Sequence, residues 1–478
     1  MKKSIKINAI LNTCKQLCSV IIPLITIPYV SRVLQSTNYG KYNFSNSIVS
    51  YFALFAALGI SNYAIREGAT VRNNKNKIVT FAQEVFSINM IFTLISYMLL
   101  VVLLIISTKL KEYRLLIIIQ SLSIMLTTLG ADWINSIYED YIYLTLRYIF
   151  IQILAVVSLF MFVQTSDDYI NYAIIMLFAS CGGNIFNIFY IRKYVHLKVI
   201  RKCNFKKHMK PILLLFFNAV AVTIYVNSDT TLLGIFKTQA DVGIYSIASK
   251  IYTIIKQVIN AVIIVTLPRL SLYLGENRIK QYKLLSQKIV NAICISAFPI
   301  MTGLLILSKE IIKIVGGISY IDGHLALKIL SISLIFSIFA GYYCCCCLLP
   351  YKQEKICLIA SIISALANII LNFIAIPLWG YNGAALTTLF SECIVFLIYF
   401  FKCKGYNRCD CDKKTILSTV IGCFLIAIIC IFTKKFVINT YICMILSVFL
   451  SGISYLMILV LTKNELVMSI LFSIRKKL

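Results

Sequence analysis

The chain is short of charge, and shortest of negative charge. Only 13% of its 478 residues are Asp, Glu, Lys or Arg, where a soluble domain carries about 25%. That excludes an ordinary soluble protein. With 60% hydrophobic residues, a polytopic membrane protein is left. Acids number 18 against 46 Lys and Arg, for a net charge of +28. In a soluble chain this excess would suggest nucleic acid. Here it reads as positive loops facing anionic lipid, so the bilayer is the expected partner and nucleic acid is not. The N-terminal MKKSIKINAILNTCKQ lacks an apolar core and a small-residue cleavage site, so no cleavable signal peptide is expected. Histidine is scarce, and none lies near Cys403, Cys409 and Cys411 in their basic loop. A metal site there would want a fourth ligand, so neither metal nor cofactor is expected. Most of the 17 Cys, including Cys344 to Cys347, lie in apolar runs. They read as small hydrophobes, and disulfides are not expected.

Apolar runs of about 20 residues mark the spans. They fall near 9–34, 39–61, 78–107, 115–136, 141–163, 168–191, 211–235, 241–267, 286–308, 324–349, 354–376, 381–402, 415–433 and 438–462. The expected fold is therefore all-α, with about fourteen transmembrane helices. Loop charge sets the orientation. Lys2, Lys3 and Lys6, the loops Arg66–Lys77, Arg192–Lys210, Arg269–Lys288 and Lys402–Lys414, and the Arg475–Lys477 end all fall on one side if the count is fourteen. The opposite loops are short and hold few cations. Both termini are thus expected in the cytoplasm.

The Arg192–Lys210 run is the longest hydrophilic stretch and separates six spans from eight. It reads as a solvated, lipid-attracted linker rather than a partner site. The expected organisation is a six-helix half over 1–195, a basic cytoplasmic linker over 196–210, a second six-helix half over 211–405, and an appended helix pair with a basic tail over 406–478. A repeat supports the division. Gly40-Lys41-Tyr42 opens the second span and Gly243-Ile244-Tyr245 the eighth, each just after an outer turn. Both copies run outside to inside, so the repeat is parallel, as in transporters whose halves are related by an axis normal to the membrane.

The chain is organised around Ile22 to Gly59. Pro23 and Pro28 sit five apart in an apolar segment. Each removes a donor and crowds the preceding turn, so a bend is expected. A tight outer turn is expected at Gln35 to Asn38, flanked by Arg32 and Lys41. Asn43, Asn46, Ser47 and Ser50 then line one side of the next helix. A break at membrane depth persists where protein or a water-filled cavity covers the freed carbonyls. Ordinary polar helix packing is the plain alternative.

Two spans carry the polar groups that suggest chemistry. The first has a stripe of Asn8, Asn12, Lys15, Ser19 and Thr26 leading towards Arg32. The eighth has two rows, Tyr245, Ser249, Tyr252, Lys256 and Asn260 beside Ser246, Lys250, Thr253 and Gln257. A lipid-facing helix could not hold both rows, so this face is expected to line an aqueous space, with an interhelical seam as the alternative. Lys15, Arg32, Lys250 and Lys256, with Asn43 nearby in sequence to Arg32, suit an anionic passenger such as a pyrophosphate. Tyr245 and Tyr252 could stack on sugar rings. Acids in the spans are few: Glu84, Asp132, Asp229 and Glu392. Asp132 and Arg147 read as a structural ion pair on consecutive antiparallel spans. Asp229, with Asn218 and Tyr225 on its helical face, either balances Lys250 or Lys256 or binds a coupling ion. The first reading is preferred, since a buried cation keeps a partner. Ser361, Ser364, Asn368 and Asn372 read as a packing stripe, and Asp410-Cys411-Asp412 has no folded domain around it to make a glycosyltransferase site.

PYVSRVL, then NYGKYNFSNSIVSYF and ALGISNYAIREGA, resembles the N-terminal signature of Wzx-type oligosaccharide flippases, members of the multidrug/oligosaccharidyl-lipid/polysaccharide exporter superfamily. ANIILNFIAIPLWGYNGAAL is similar to the same family. The likeness covers the whole chain in layout, and one departure is Gln35, where Gly is expected after Val-Leu. The resemblance implies a non-enzymatic flippase of the bacterial inner membrane. It would move undecaprenyl-pyrophosphate-linked oligosaccharide repeat units to the outer leaflet for O-antigen or capsule assembly. It also implies that the first and eighth spans border a central cavity, with alternating access by rocking of two halves. A proton or sodium counter-ion and the polysaccharide polymerase are further partners in that picture. Two rivals stand beside it. A drug/cation antiporter of the same superfamily carries a cationic passenger, which four cavity-side cations disfavour. An O-antigen polymerase uses one large outer loop, whereas the longest here is about Lys309 to Gly323.

Overall fold

In hydrocarbon every backbone donor and acceptor must be satisfied within the segment, so long apolar runs become helices. A computed structural model describes residues 5–200, 204–406 and 409–468. Over 5–14, and at Lys206, Leu214, Leu215, Asn218, Ala221 and Val222, it describes backbone alone. Lys2, Lys3, Arg201, Lys202, Arg408 and Arg475–Lys477 of the sequence reading lie outside the described residues, as do the side chains of Lys6, Asn8, Asn12, Lys206 and Asn218. Regular structure among the described residues is helical throughout.

The chain packs into two compact units, residues 1–243 and 244–478. The first begins with α1 (Ile5–Ala57), which carries Pro23 and Pro28 inside it and leaves helical geometry at Gln35, with φ 58° and ψ 172°. One residue thus makes the turn expected over four. At that φ and ψ a side chain is strained, and Gln35 offsets part of the cost by donating from Nε2 to the Arg32 carbonyl at 2.7 Å. Leu58 and Gly59, both with positive φ, end α1 and start α2 (Ile60–Val71). This part of the expected Arg66–Lys77 loop is helix instead. Its buried face is Ile60, Tyr63, Ala64 and Gly68, the spacing of an amphipathic helix. It packs on α3 (Lys75–Ile106), α5 (Asp132–Ile137) and α8 (Phe205–Phe236). Asn74 caps α3 by accepting from the Lys77 amide at 3.1 Å. Three more helices complete the unit: α4 (Arg114–Gly130), α6 (Tyr141–Phe162) and α7 (Tyr169–Tyr190).

The unit boundary falls within α9 (Gln239–Gly275). The second unit adds α10 (Ile279–Val315), α11 (His324–Tyr342), α12 (Glu354–Lys402), α13 (Lys413–Phe436) and α14 (Thr440–Leu461). A π turn over Tyr343–Leu348 follows α11. Like α1, α12 is broken at one residue, Gly380, with φ 55° and ψ −133°. Here the sequence supplies the residue that such a backbone favours.

Eleven helical stretches among the described residues are long and apolar enough to cross a membrane. Two of them run 57 and 52 residues. The first would span on the order of 85 Å if straight, far beyond a ~30 Å hydrocarbon core. The breaks at Gln35 and Gly380 let each turn back. Burial is inverted relative to a soluble bundle. On α14, Ile445 and Phe449 are exposed while Ser447 and Ser451 are buried. Small polar residues let membrane helices approach closely, and the large apolar ones meet lipid.

Candidate functional site

In the first unit the polar residues of α1 are largely turned to protein. Lys15 lies over the Tyr148 ring, 5.4 Å from its centroid. The Arg32 side chain is exposed. Asn43 donates to the Tyr39 carbonyl of its own helix at 2.8 Å. Ser47 accepts from Thr231 of α8 at 2.9 Å, and Tyr51 bonds the same threonine at 3.1 Å. Asp229, two residues earlier on α8, is buried. Beside this seam lies a cavity of about 490 Å³ lined by Ser50, Asn89, Thr127, Asp132, Asn184 and Asn227, among others.

Asp132 and Arg147 form the ion pair read from the sequence, with Nη2 to Oδ2 at 2.6 Å. It is part of a larger network. Asn187 of α7 donates to Asp132 Oδ1 at 2.9 Å and to the Gly130 carbonyl at 2.6 Å, and accepts from Asn135 at 2.7 Å. The left-handed residue Ala131 (φ 45°) separates α4 from α5, and the network closes that joint.

The second unit sorts the two rows of α9. The row with Tyr245, Tyr252 and Lys256 does not stand open. Tyr245 and Tyr252 are buried, because a phenol on this helix finds partners on α12. Tyr245 bonds Thr388 at 3.2 Å, and Tyr252 donates to Glu392 Oε1 at 2.9 Å. Lys256 donates to the same oxygen at 2.6 Å. Its side chain remains 28% exposed against 6% for Glu392. Lys250, on the neighbouring row, is exposed. Lys256 therefore has a carboxylate partner within its own unit. The sequence reading singled out Glu392 only as one of four intramembrane acids. Its signal was Thr388 and Glu392 one turn apart, which gives α12 a polar stripe facing hydroxyl and amine groups. In the loop before α13, Cys409 donates to the Lys283 carbonyl at 3.5 Å. Burial pushes its thiol above the ordinary value, so it stays protonated and inert.

The geometry is thus a set of amines in membrane-spanning helices, one held on a buried carboxylate. The family model described as "Polysaccharide biosynthesis protein" matches residues 5–274. A protein of Escherichia coli K12 named as an O-antigen transporter is 23% identical over 403 residues, covering 82% of this chain and 95% of that protein. The capsular polysaccharide biosynthesis protein CapF of Staphylococcus aureus is 23% identical over 409 residues, covering 84% and 98%. Among solved structures, the lipid II flippase MurJ in an inward closed conformation superposes with a TM-score of 0.74, covering 96% of this chain and 99% of that one at 18% identity. That likeness speaks to the fold, a polytopic all-α transporter fold, and the chain is a multi-pass membrane protein. Since the family model spans more than half of the 478 residues and takes in both copies of the Gly-x-Tyr repeat, the chain belongs to the polysaccharide biosynthesis protein family.

Proposed function

We propose that the chain is a flippase that carries undecaprenyl-pyrophosphate-linked oligosaccharide repeat units from the cytoplasmic to the outer leaflet of a bacterial inner membrane, for O-antigen or capsular polysaccharide assembly. The observation that carries this is Lys256, an amine in a spanning helix that is held on Glu392 yet keeps an open edge. A charge inside a bilayer costs about 2.5–3.5 kcal/mol on insertion scales. Ser and Asn make a packing seam at less cost. Glu392 compensates Lys256 from one side, and a diphosphate can reach its open edge through charge-assisted hydrogen bonds. Lys250, on the same helix, is a further cation for such a headgroup, and Lys15 and Arg32 on α1 are the cations that the first unit offers to an anionic passenger. Tyr245 and Tyr252 would hold α9 in place rather than stack on sugar, since both are buried.

The relatives named for O-antigen transport and capsule synthesis support a glycan passenger, and the lipid II flippase supports a lipid-linked one. Transport follows alternating access, with the lipid tail remaining in the bilayer. The basic loops and both termini face the cytoplasm. Asp229 balances charge or binds the coupling ion, a proton or sodium, and the polymerase takes the product. The test is to delete the gene and isolate lipid-linked glycan. Accumulation of one undecaprenyl-pyrophosphate repeat unit with loss of surface polysaccharide is expected. Normal surface polysaccharide with no accumulated intermediate would reject the reading.

A further inference from the structure

Lys256 and Glu392 set up a competition for one ammonium. The carboxylate is sealed, at 6% exposure, while the amine keeps 28%. An anion arriving at Lys256 therefore comes to its open edge and finds Glu392 already there at 2.6 Å. Two negative groups on one compact charge in a low dielectric repel. A buried carboxylate that loses part of its cation's compensation takes a proton rather than stay charged. The groups packed nearby come from α9, α11, the π turn and α12 itself. From α9 they are Tyr252, on the same oxygen at 2.9 Å, and Tyr245, on Thr388. From α11 comes Ser337 beside Tyr252, and from the π turn Tyr343, whose ring packs on Phe396 at 6.0 Å, one turn beyond Glu392. The first half of α12 contributes Ser364, bonded to the Ser391 carbonyl at 3.1 Å, and Cys393 is the next residue along. All of these are neutral near pH 7.

We propose that Glu392 is a latch on the anion-receiving lysine. It holds Lys256 while no passenger is bound, yields the ammonium to a phosphate oxygen of the passenger, and takes up one proton in the exchange. The inference rests on the flippase reading above. No covalent bond changes. A phosphate oxygen replaces the carboxylate at Nζ, and one proton passes from water to the carboxylate, whose other hydrogen bond from Tyr252 is kept. Anion binding and proton uptake become one event, and linkage fixes the sign. The bound state holds more protons, so affinity falls as pH rises, by at most tenfold per pH unit.

The experiment is titration calorimetry on the purified full chain with farnesyl diphosphate as the probe. It is run in two buffers of different ionisation enthalpy and across a pH series. The wild type is expected to take up about one proton per diphosphate more than Glu392→Gln, a difference that cancels the probe's own ionisation. Its Kd should rise with pH, while Glu392→Gln binds about tenfold tighter with a flatter profile. Glu392→Asp, which keeps the charge but withdraws it by one methylene, should bind tighter than wild type and still take up a proton. Equal proton counts and equal pH slopes in wild type and Glu392→Gln would overturn the latch alone. If Glu392→Gln does not fold, a wild-type count explained by the probe's ionisation would overturn it by itself. A wild type that binds no prenyl diphosphate would overturn the flippase reading, and the latch with it.

Discussion

Gly40 and Gly243 meet reciprocally. A methyl group added at Gly40 would lie 1.8 Å from the Gln239 carbonyl oxygen, and one added at Gly243 would lie 2.0 Å from the Ser36 carbonyl oxygen. The same methyl on Gly40 would fall 2.9 Å from the Gly243 amide nitrogen. Each glycine sits where the helix of the other begins. They are the matched glycines of the Gly-x-Tyr repeat. These glycines are needed for close approach, since neither has positive φ.

Both should therefore be intolerant of alanine, and equally so. The overlap is backbone on backbone, so no side chain can swing away. Gly40→Ala and Gly243→Ala are each expected to cost about 1–3 kcal/mol, the usual penalty of overpacking. Gly303→Ala in α10 is the control, because a methyl there meets nothing within 4 Å and helix propensity favours alanine by up to about 1 kcal/mol. Thermal unfolding in detergent compares the three. Wild-type stability in Gly40→Ala would remove the reciprocal crossing.

Asp132 and Arg147 yield a less symmetric outcome than a simple pair would. Asp132→Asn keeps an oxygen for Asn187 but leaves Arg147 without its carboxylate, and the guanidinium is only 10% exposed. A buried charge stripped of its partner is the costly state. Adding Arg147→Met to Asp132→Asn should recover most of the loss. The charge swap should recover less, because an arginine at position 132 would face the Asn187 amide donor. Protein level and unfolding midpoint in these three variants and in Arg147→Met alone check this. Additive effects would mean that the two side chains do not interact.

What the sequence made legible follows from period and length. Apolar runs located the long helices, and the order of spans brought Asp132 to Arg147. The gap between the spans expected at 354–376 and 381–402 holds Pro377 and Gly380, and the break falls at that glycine, where φ is 55°. The turn at Gln35 looked longer than it is, since no glycine announced a one-residue break. Helix α2 was hidden for another reason. Arg66 and Glu67 interrupt its apolar run, and twelve residues are too few for a clear period. The partner of Lys256 was out of reach. Periodicity says which face of α9 is polar, but not which helix covers it, and Glu392 lies 136 residues away in the chain. A wet face and a polar seam also want the same residue types, so Tyr245 and Tyr252 could not be assigned to one or the other.

Gln35 permits a direct measure of backbone strain. A non-glycine residue at φ 58° and ψ 172° carries a cost of order 1–3 kcal/mol, set against about 1 kcal/mol for the bond to the Arg32 carbonyl. Gln35→Ala loses the bond and keeps the strain, so it should destabilise by about 1 kcal/mol. Gln35→Gly loses the bond and the strain together, less the extra freedom of glycine in the unfolded chain. The expected order of unfolding midpoints is Gly at or above Gln, and Gln above Ala. Alanine matching glutamine would mean that the side-chain bond contributes nothing.

The cations of α1 and α9 give the sharpest test of transport, provided folding is separated from binding. Lys256→Ala alone is a poor probe. It leaves Glu392 buried without the amine now 2.6 Å away, and the protein could be lost for that reason. Lys256→Gln combined with Glu392→Gln removes both charges and keeps hydrogen-bonding groups in place, so it should reach the membrane at normal abundance. Lys250 and Arg32 are exposed, so Lys250→Ala and Arg32→Gln should also fold. A hydrogen bond to a charged group contributes about 1.5–3 kcal/mol, which is roughly 10- to 150-fold in binding. Each variant is therefore expected to lower surface polysaccharide at least tenfold in a complemented deletion strain, after normalising to membrane protein. Lys250→Arg should retain more export than Lys250→Ala, because phosphate mainly needs the charge. Full export from the Lys250→Ala variant that also carries the paired glutamines, at normal abundance, would mean that no amine of α9 receives the headgroup.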